Sequence, residues 1–267
     1  MFELIDNSPV PIAEPEEICF EQPVTERMRT FLRLEFLYDQ ARFHRDNQSD
    51  FSARATVSSI LEIMAILGRG DVRAEVLKDL ERQTERLANF RRMPGVDGDR
   101  LNRLIANLNS HKSDLTHIGS HFLQPLKDCD FLSAIKHRSA IPGGTCTFDL
   151  PDFGYWLNLP FAQRTQQITE WLQSLGPLCD SVSELLWLTR EAGESVNCLA
   201  EAGFYQHNLD RNTQLNLIRI HVAKSAGTFP AISAGRHRFS VRFVEWQGIE
   251  RRPVQTTSDV HFSLMLS

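Results

Sequence analysis

A chain of 267 residues, 42% hydrophobic and 24% charged, has the composition of a soluble globular protein that can bury one large core or two smaller ones, which excludes wholesale disorder. Its apolar runs fall short of the roughly 18 to 20 residues of a membrane span, and its acidic N-terminus is unlike a signal peptide, so a cytoplasmic protein is expected. The net charge is −5, and five cysteines (Cys19, Cys129, Cys146, Cys179 and Cys198) include no C-x-x-C pair, which argues against a disulfide framework or a zinc ribbon.

Residues 1–17 carry Glu3, Asp6, Glu14, Glu16 and Glu17 with three prolines and no basic residue, a composition that predicts a solvated, disordered tail. Ile18-Cys-Phe20 reads as a brief strand closed by Pro23. Thr25 then caps a helix with Val24, Met28, Phe31, Leu34 and Tyr38 near one stripe. Val57, Ile60, Leu61, Met64 and Leu67 predict a second helix that stops at Gly68-Arg69-Gly70 and leaves Arg69 on an exposed corner. Asp71 caps a third, and Leu101 to Leu108 and Phe131 to Ile135 give two more before Pro142-Gly-Gly144.

Cys146-Thr-Phe-Asp-Leu150 alternates like a strand, and Trp156 to Pro160 extends it as a hairpin or a turn of helix. Two helices follow, one ending at Gly176-Pro177 and one at Gly193. After Asn197 the period changes, and Gly203 to Tyr205, Leu217 to Val222, Arg238 to Val244 and Val260 to Leu266 read as strands. No alternating βαβ pattern is present, so the expected class is α+β with segregated layers: a helical domain (24–140 and 160–197) packed with a mainly antiparallel β domain (18–23, 141–159 and 198–267).

The common catalytic signatures are missing: there is no G-x-G-x-x-G after a strand, no Walker A, no H-E-x-x-H and no G-x-S-x-G. His117 and His121, with His111 and Cys129 nearby, would form one face of a metal site on a continuous helix, but no carboxylate stands at a spacing that completes a catalytic set, and capping or surface histidines are the simpler reading. Gly143-Gly144 precedes a strand-like segment rather than a helix, so it reads as a turn and not a phosphate loop. No enzyme, cofactor or metal is expected.

What stands out is a charge inversion. From Leu215 to Arg252 the chain holds Arg219, Lys224, Arg236, Arg238, Arg242, Arg251 and Arg252 against Glu245 and Glu250, a net +5 within an acidic protein. Such a surface usually meets an anionic partner, and the plainer alternative is solvated arginine on the outer face or edge of an antiparallel sheet. In Arg238-Phe-Ser-Val-Arg-Phe-Val244 the alternation buries Phe239, Val241 and Phe243 and sends Arg238 and Arg242 to the opposite face, about 13 Å apart. The aromatics therefore fall on the wrong face to stack bases beside the arginines, which disfavours the alternative of a nucleic-acid-binding protein using this basic region.

Several blocks together resemble the ZapD family of bacterial cell-division proteins. They are Phe20-Glu-Gln-Pro23, the segment from Thr25 to Phe36, Gly70-Asp-Val-Arg73, Pro94-Gly-Val-Asp97, Ile141 to Pro151, Gly203-Phe-Tyr205 and Arg238 to Phe243, in family order from Phe20 to the C-terminus. The resemblance implies a non-enzymatic, cytoplasmic homodimer at the mid-cell division site. It would bind the C-terminal tail of the tubulin-like protein FtsZ and cross-link its filaments to promote ring assembly. It also implies a basic peptide pocket: matching the motifs puts Arg69, Arg238 and Arg242 on its positions, with Arg236, Arg251 and Arg252 as neighbours. Two family arginines fall near Asp130 and Asp259 here, where Lys127 and the neighbouring arginines are the available substitutes.

Overall fold

The computed structural model describes residues 16–91, 94–210, 214–235 and 237–267. The segment read as an acidic tail lies outside them up to residue 15. The chain is α+β and divides into two compact units, Glu26–Glu191 and the pair Met1–Thr25 with Ala192–Ser267.

The helical unit runs α1 (Glu26–Arg45), α2 (Asp50–Leu67), α3 (Val72–Phe90), α4 (Gly98–His117), α5 (Gln124–Lys127), α6 (Asp130–Ser139), α7 (Pro151–Leu157) and α8 (Phe161–Glu191). α1 buries a single stripe of Met28, Phe31, Leu34, Leu37, Tyr38 and Ala41, as its helical spacing dictates. α2 is buried on most of its circumference, and its small polar residues turn inward onto the backbone: Thr56 Oγ1 donates to the Ser52 carbonyl and Ser59 Oγ to that of Ala55, both at 3.0 Å. Asp71 caps α3, accepting the Ala74 amide at 3.0 Å.

Two expectations fail in this unit. The helices expected on either side of Gly176-Pro177 are one helix of 31 residues, about 46 Å long. Pro177 removes one hydrogen-bond donor, but Ile168, Leu172, Leu175, Leu178, Cys179, Val182, Leu185 and Leu186 keep one buried face in register through it. Each such side chain contributes about 1.5–3 kcal/mol, which outweighs the lost bond. The strand expected at Cys146–Leu150 is a succession of turns, with the Cys146 amide bonded to Gly143 and the Leu150 amide to Cys146. The backbone groups of this segment are satisfied locally by those turns, with no neighbouring strand among the described residues for it to pair with, and Pro151 starts α7. Residues 141–159 thus lie in the helical unit rather than with the strands.

The other unit holds β1 (Glu17–Pro23), β2 (Ser195–Ala200), β3 (Phe204–Asn208), β4 (Leu217–Ala223), β5 (Thr228–Ala234), β6 (Arg238–Glu245), β7 (Val254–Gln255) and β8 (Val260–Leu266). They form two antiparallel sheets, ordered β1-β4-β8-β2 and β3-β6-β5, with β7 pairing the end of β6. Ile218, Ile220, Val222, Phe262 and Leu264 of the first sheet pack on Phe239, Val241 and Phe243 of the second. Phe262 joins them, with its ring centroid 5.1 Å from that of Phe243 and 5.2 Å from that of Tyr205.

Candidate functional site

Strand β6 is the middle strand of its sheet and alternates as its sequence requires. Phe239, Val241 and Phe243 are 0% exposed, while Arg238 and Arg242 are exposed on the outer face. The ladders fix their surroundings. Arg238 stands opposite Asn208, Ser240 between Gln206 and Ser233, and Arg242 between Phe204 and Ala231. Neither arginine has an acidic neighbour on this face, and among the described residues neither guanidinium has a side-chain partner. The two residues are about 13 Å apart along the strand, and a guanidinium with no side-chain partner is free to donate to a carboxylate.

The remaining basic residues of the inversion separate. Arg251 and Arg252 are exposed in the loop from β6 to β7, beside exposed Trp246 and Ile249. Arg219 belongs to the other sheet, where its Nε lies 3.2 Å from Glu21 across the β1–β4 ladder. It is a structural ion pair, and no sequence-local signal identifies it because its partner is about 200 residues away. Arg236 lies outside the described residues.

Beneath the face, the inner side of β3 is polar but satisfied. The Tyr205 hydroxyl lies 3.2 Å from His207 Nδ1 and accepts from Cys198 Sγ at 3.7 Å, and burial, with that thiol, pushes the phenol up to about 12. It stays neutral and serves packing. Asp259 sits at the turn between β2 and β3, accepting the Ala202 amide at 2.9 Å.

Arg69 occupies the corner between α2 and α3, which bend by 80° at Gly68-Arg69-Gly70. It lines two grooves of the helical unit. One, of about 460 Å³, also holds Arg73, His121 and Lys127; the other, of about 340 Å³, is walled by Arg33, Phe36, Leu37 and Ile66. Arg73 is engaged, capping the end of α4 through the carbonyls of Leu115 and Thr116 at 3.0 and 3.4 Å. Lys127 is exposed and, among the described residues, has no side-chain partner. Asp130 begins α6, where a carboxylate complements the helix dipole. His117 and His121 do not share a helix face: α4 ends at His117 and the chain turns at Gly119.

The sequence model of the family described as "ZapD: Cell division protein" matches residues 32–242, from α1 to Arg242 itself. The chain belongs to the ZapD family. Proteins named "Cell division protein ZapD" from Methylococcus capsulatus, Ralstonia pickettii and Ralstonia nicotianae are 34%, 35% and 36% identical to it. Each alignment spans 93% of this chain and 97% to 98% of the relative. The ZapD match takes in the Arg69 corner and both β6 arginines, whereas Arg251 and Arg252 lie beyond it. Among the described residues no single helix is long and apolar enough to cross a membrane.

Proposed function

We propose that this protein is a non-catalytic accessory of cell division that binds the C-terminal tail of FtsZ and, as a homodimer, cross-links and bundles its filaments at mid-cell. The observation that carries this reading is the pair Arg238 and Arg242, unpaired on one face of a strand whose other face is fully buried. Arg251 and Arg252 add positive charge in the β6–β7 loop, Arg236 belongs to the same stretch of sequence, and Arg69 with Lys127 offers a second cationic surface on the helical unit. A charge-assisted hydrogen bond contributes on the order of 1.5–3 kcal/mol, so two or three of them support weak capture of a short peptide. Weak capture is sufficient on a polymer: a two-fold dimer has two such faces, and the second binds at high effective concentration once the first has bound. Nucleic acid is the less favoured ligand: Phe239 and Phe243 are in the core, which leaves Phe204 and Phe229 as the aromatics of this face. The chain as a whole carries −5, against the long-range attraction that a polyphosphate needs.

The test is co-sedimentation with polymerised FtsZ, with and without its tail. Arg238→Glu/Arg242→Glu is expected to keep its fold, with a melting midpoint within a few degrees of wild type, and to lose filament binding and bundling. A folded double mutant that co-sediments like wild type rejects the β6 face as the binding site.

A further inference from the structure

The face around Arg242 is not uniformly cationic. Phe204 of β3 stands directly opposite Arg242, and it is 43% exposed. Two residues further along β6, Val244 lies opposite Phe229 of β5 on one side and Gln255 of β7 on the other. Directly paired side chains on one face are about 4.5–5.5 Å apart and diagonal ones about 7–8 Å. Phe204, Val244 and Phe229 therefore form a continuous apolar strip across three strands. Scattered exposed apolar residues are ordinary on protein surfaces, but these three are brought together by register, on the same face as the unpaired arginines. At the opposite end, Arg238 is flanked by Asn208, Ser240 and Gln206. Over the roughly 20 Å from residue 238 to 244 the face changes from cationic and polar to apolar.

We propose that the strip of Phe204, Val244 and Phe229 is a second subsite, which takes an apolar side chain of the bound peptide while Arg238 and Arg242 hold its carboxylates. This rests on the functional reading above and names the chemistry of the segment recognised: acidic residues with an apolar residue two to four positions away, on the same side of an extended chain. The spacing follows from the face itself, since Arg242 and Val244 are two residues apart and an extended peptide repeats its side every two residues. The small side chain of Ala231, opposite Arg242, leaves room for such a backbone to approach.

The two subsites respond differently to salt. Contacts between exposed charges are screened beyond about 8 Å at physiological ionic strength, whereas apolar burial is not. A synthetic FtsZ C-terminal tail peptide is titrated against the full chain by fluorescence anisotropy at low and high salt, using wild type, Arg238→Glu/Arg242→Glu and Phe204→Gln. Phe204→Gln is expected to weaken binding about tenfold at every salt concentration, the effect of exposing one apolar side chain. A second arm leaves the protein unchanged and replaces each apolar residue of the peptide by Gln in turn. One replacement is expected to weaken wild-type binding by a similar factor and to have little further effect on Phe204→Gln, as for two partners of one contact. If the tail binds, the arginine variant loses it, and neither Phe204→Gln nor any peptide replacement alters affinity, the apolar subsite is rejected while the functional reading stands. If wild type does not bind the tail at all, the functional reading fails first, and the subsite with it.

Discussion

Asp259 Oδ1 accepts the backbone N–H of Ala202 at 2.9 Å, tying the start of β8 to the β2–β3 turn from which Phe204 projects. The resemblance to the family places an arginine near this point. Here a carboxylate holds the turn, and Gln255 Nε2 donates to the Ala202 carbonyl at 3.1 Å from the other side. Asp259→Ala is therefore expected to lower stability by about 1 kcal/mol, the ordinary contribution of a hydrogen bond. Asp259→Asn, which keeps an acceptor oxygen, should lie close to wild type in a denaturant melt. Equal losses for Ala and Asn would show that charge rather than the bond matters.

The same turn contains two residues in left-handed conformation, Ala202 at φ 48° and Gly203 at φ 71°. An added Cβ at Gly203 would lie 2.7 Å from the Thr256 carbonyl oxygen, which is backbone and cannot swing away. Gly203→Ala is expected to cost about 2 kcal/mol or more, while Ala202→Gly relieves left-handed strain and stabilises by about 0.5–1 kcal/mol. Thermal midpoints that move in opposite directions verify the assignment; a destabilised Ala202→Gly contradicts it.

On the helical unit, Lys127 and Arg69 line one groove. If both contribute to peptide capture, Lys127→Glu and Arg69→Glu each weaken tail binding about three- to tenfold at low salt, the scale expected for exposed charges. Asp130→Ala, at the start of α6, should leave affinity unchanged. Titration of the tail peptide at two salt concentrations distinguishes these outcomes, and an unaffected Lys127→Glu removes that residue from the site.

Alternation in β6 was legible because three bulky apolar residues at period two leave no other way to bury them. β5 was not, since Thr-Phe-Pro-Ala-Ile-Ser-Ala lacks such a pattern and contains Pro230; an edge strand tolerates a proline that a central one would not. β2 is equally silent in the sequence, because its edge position leaves Val196 and Leu199 exposed and no buried alternation marks it. The candidate site divides similarly. That Arg238 and Arg242 share a face follows from one strand's period. That Phe204 joins them and that Arg219 leaves them for Glu21 depends on pairings between distant segments, which local sequence does not specify.

Arg164 is a different kind of arginine. Its side chain is 8% exposed, with Nη1 2.7 Å from Asp50 Oδ1 and Nη2 donating to the Gln48 carbonyl at 3.1 Å, so it fastens the first turn of α8 to that of α2. Arg164→Ala should destabilise the helical unit by about 3 kcal/mol, as expected when a buried charged group and its bonds are removed. A loss below about 1 kcal/mol in chemical denaturation would mean that solvent already satisfies Asp50.

Asp97 provides a pH dependence. It caps α4, accepting the amides of Asp99 and Arg100 at 3.0 Å, and the bond from Arg100 above all holds its carboxyl below the ordinary 3.8. The folded state thus binds this proton less readily than the unfolded one. The cap's charged contribution is present above 3.8 and is lost as pH falls through the lowered folded value. The stability advantage of wild type over Asp97→Asn should accordingly be seen at neutral pH and shrink in acid; an advantage that persists in acid would show that the charge plays no part.

The sheet that begins with β1 also has a temporal consequence. Residues 17–23 pair with 217–223, and β8, the final strand, lies between β4 and β2. During synthesis the whole helical unit emerges before β1 meets its partner. The first sheet is then two separate pieces until β8 slots between them, so Phe239, Val241 and Phe243 have no completed sheet to cover them. Until Val260–Leu266 pairs with both neighbours, the buried face of β6 therefore packs on an unfinished sheet. β8 is thus the strand that completes the backing of Arg238 and Arg242.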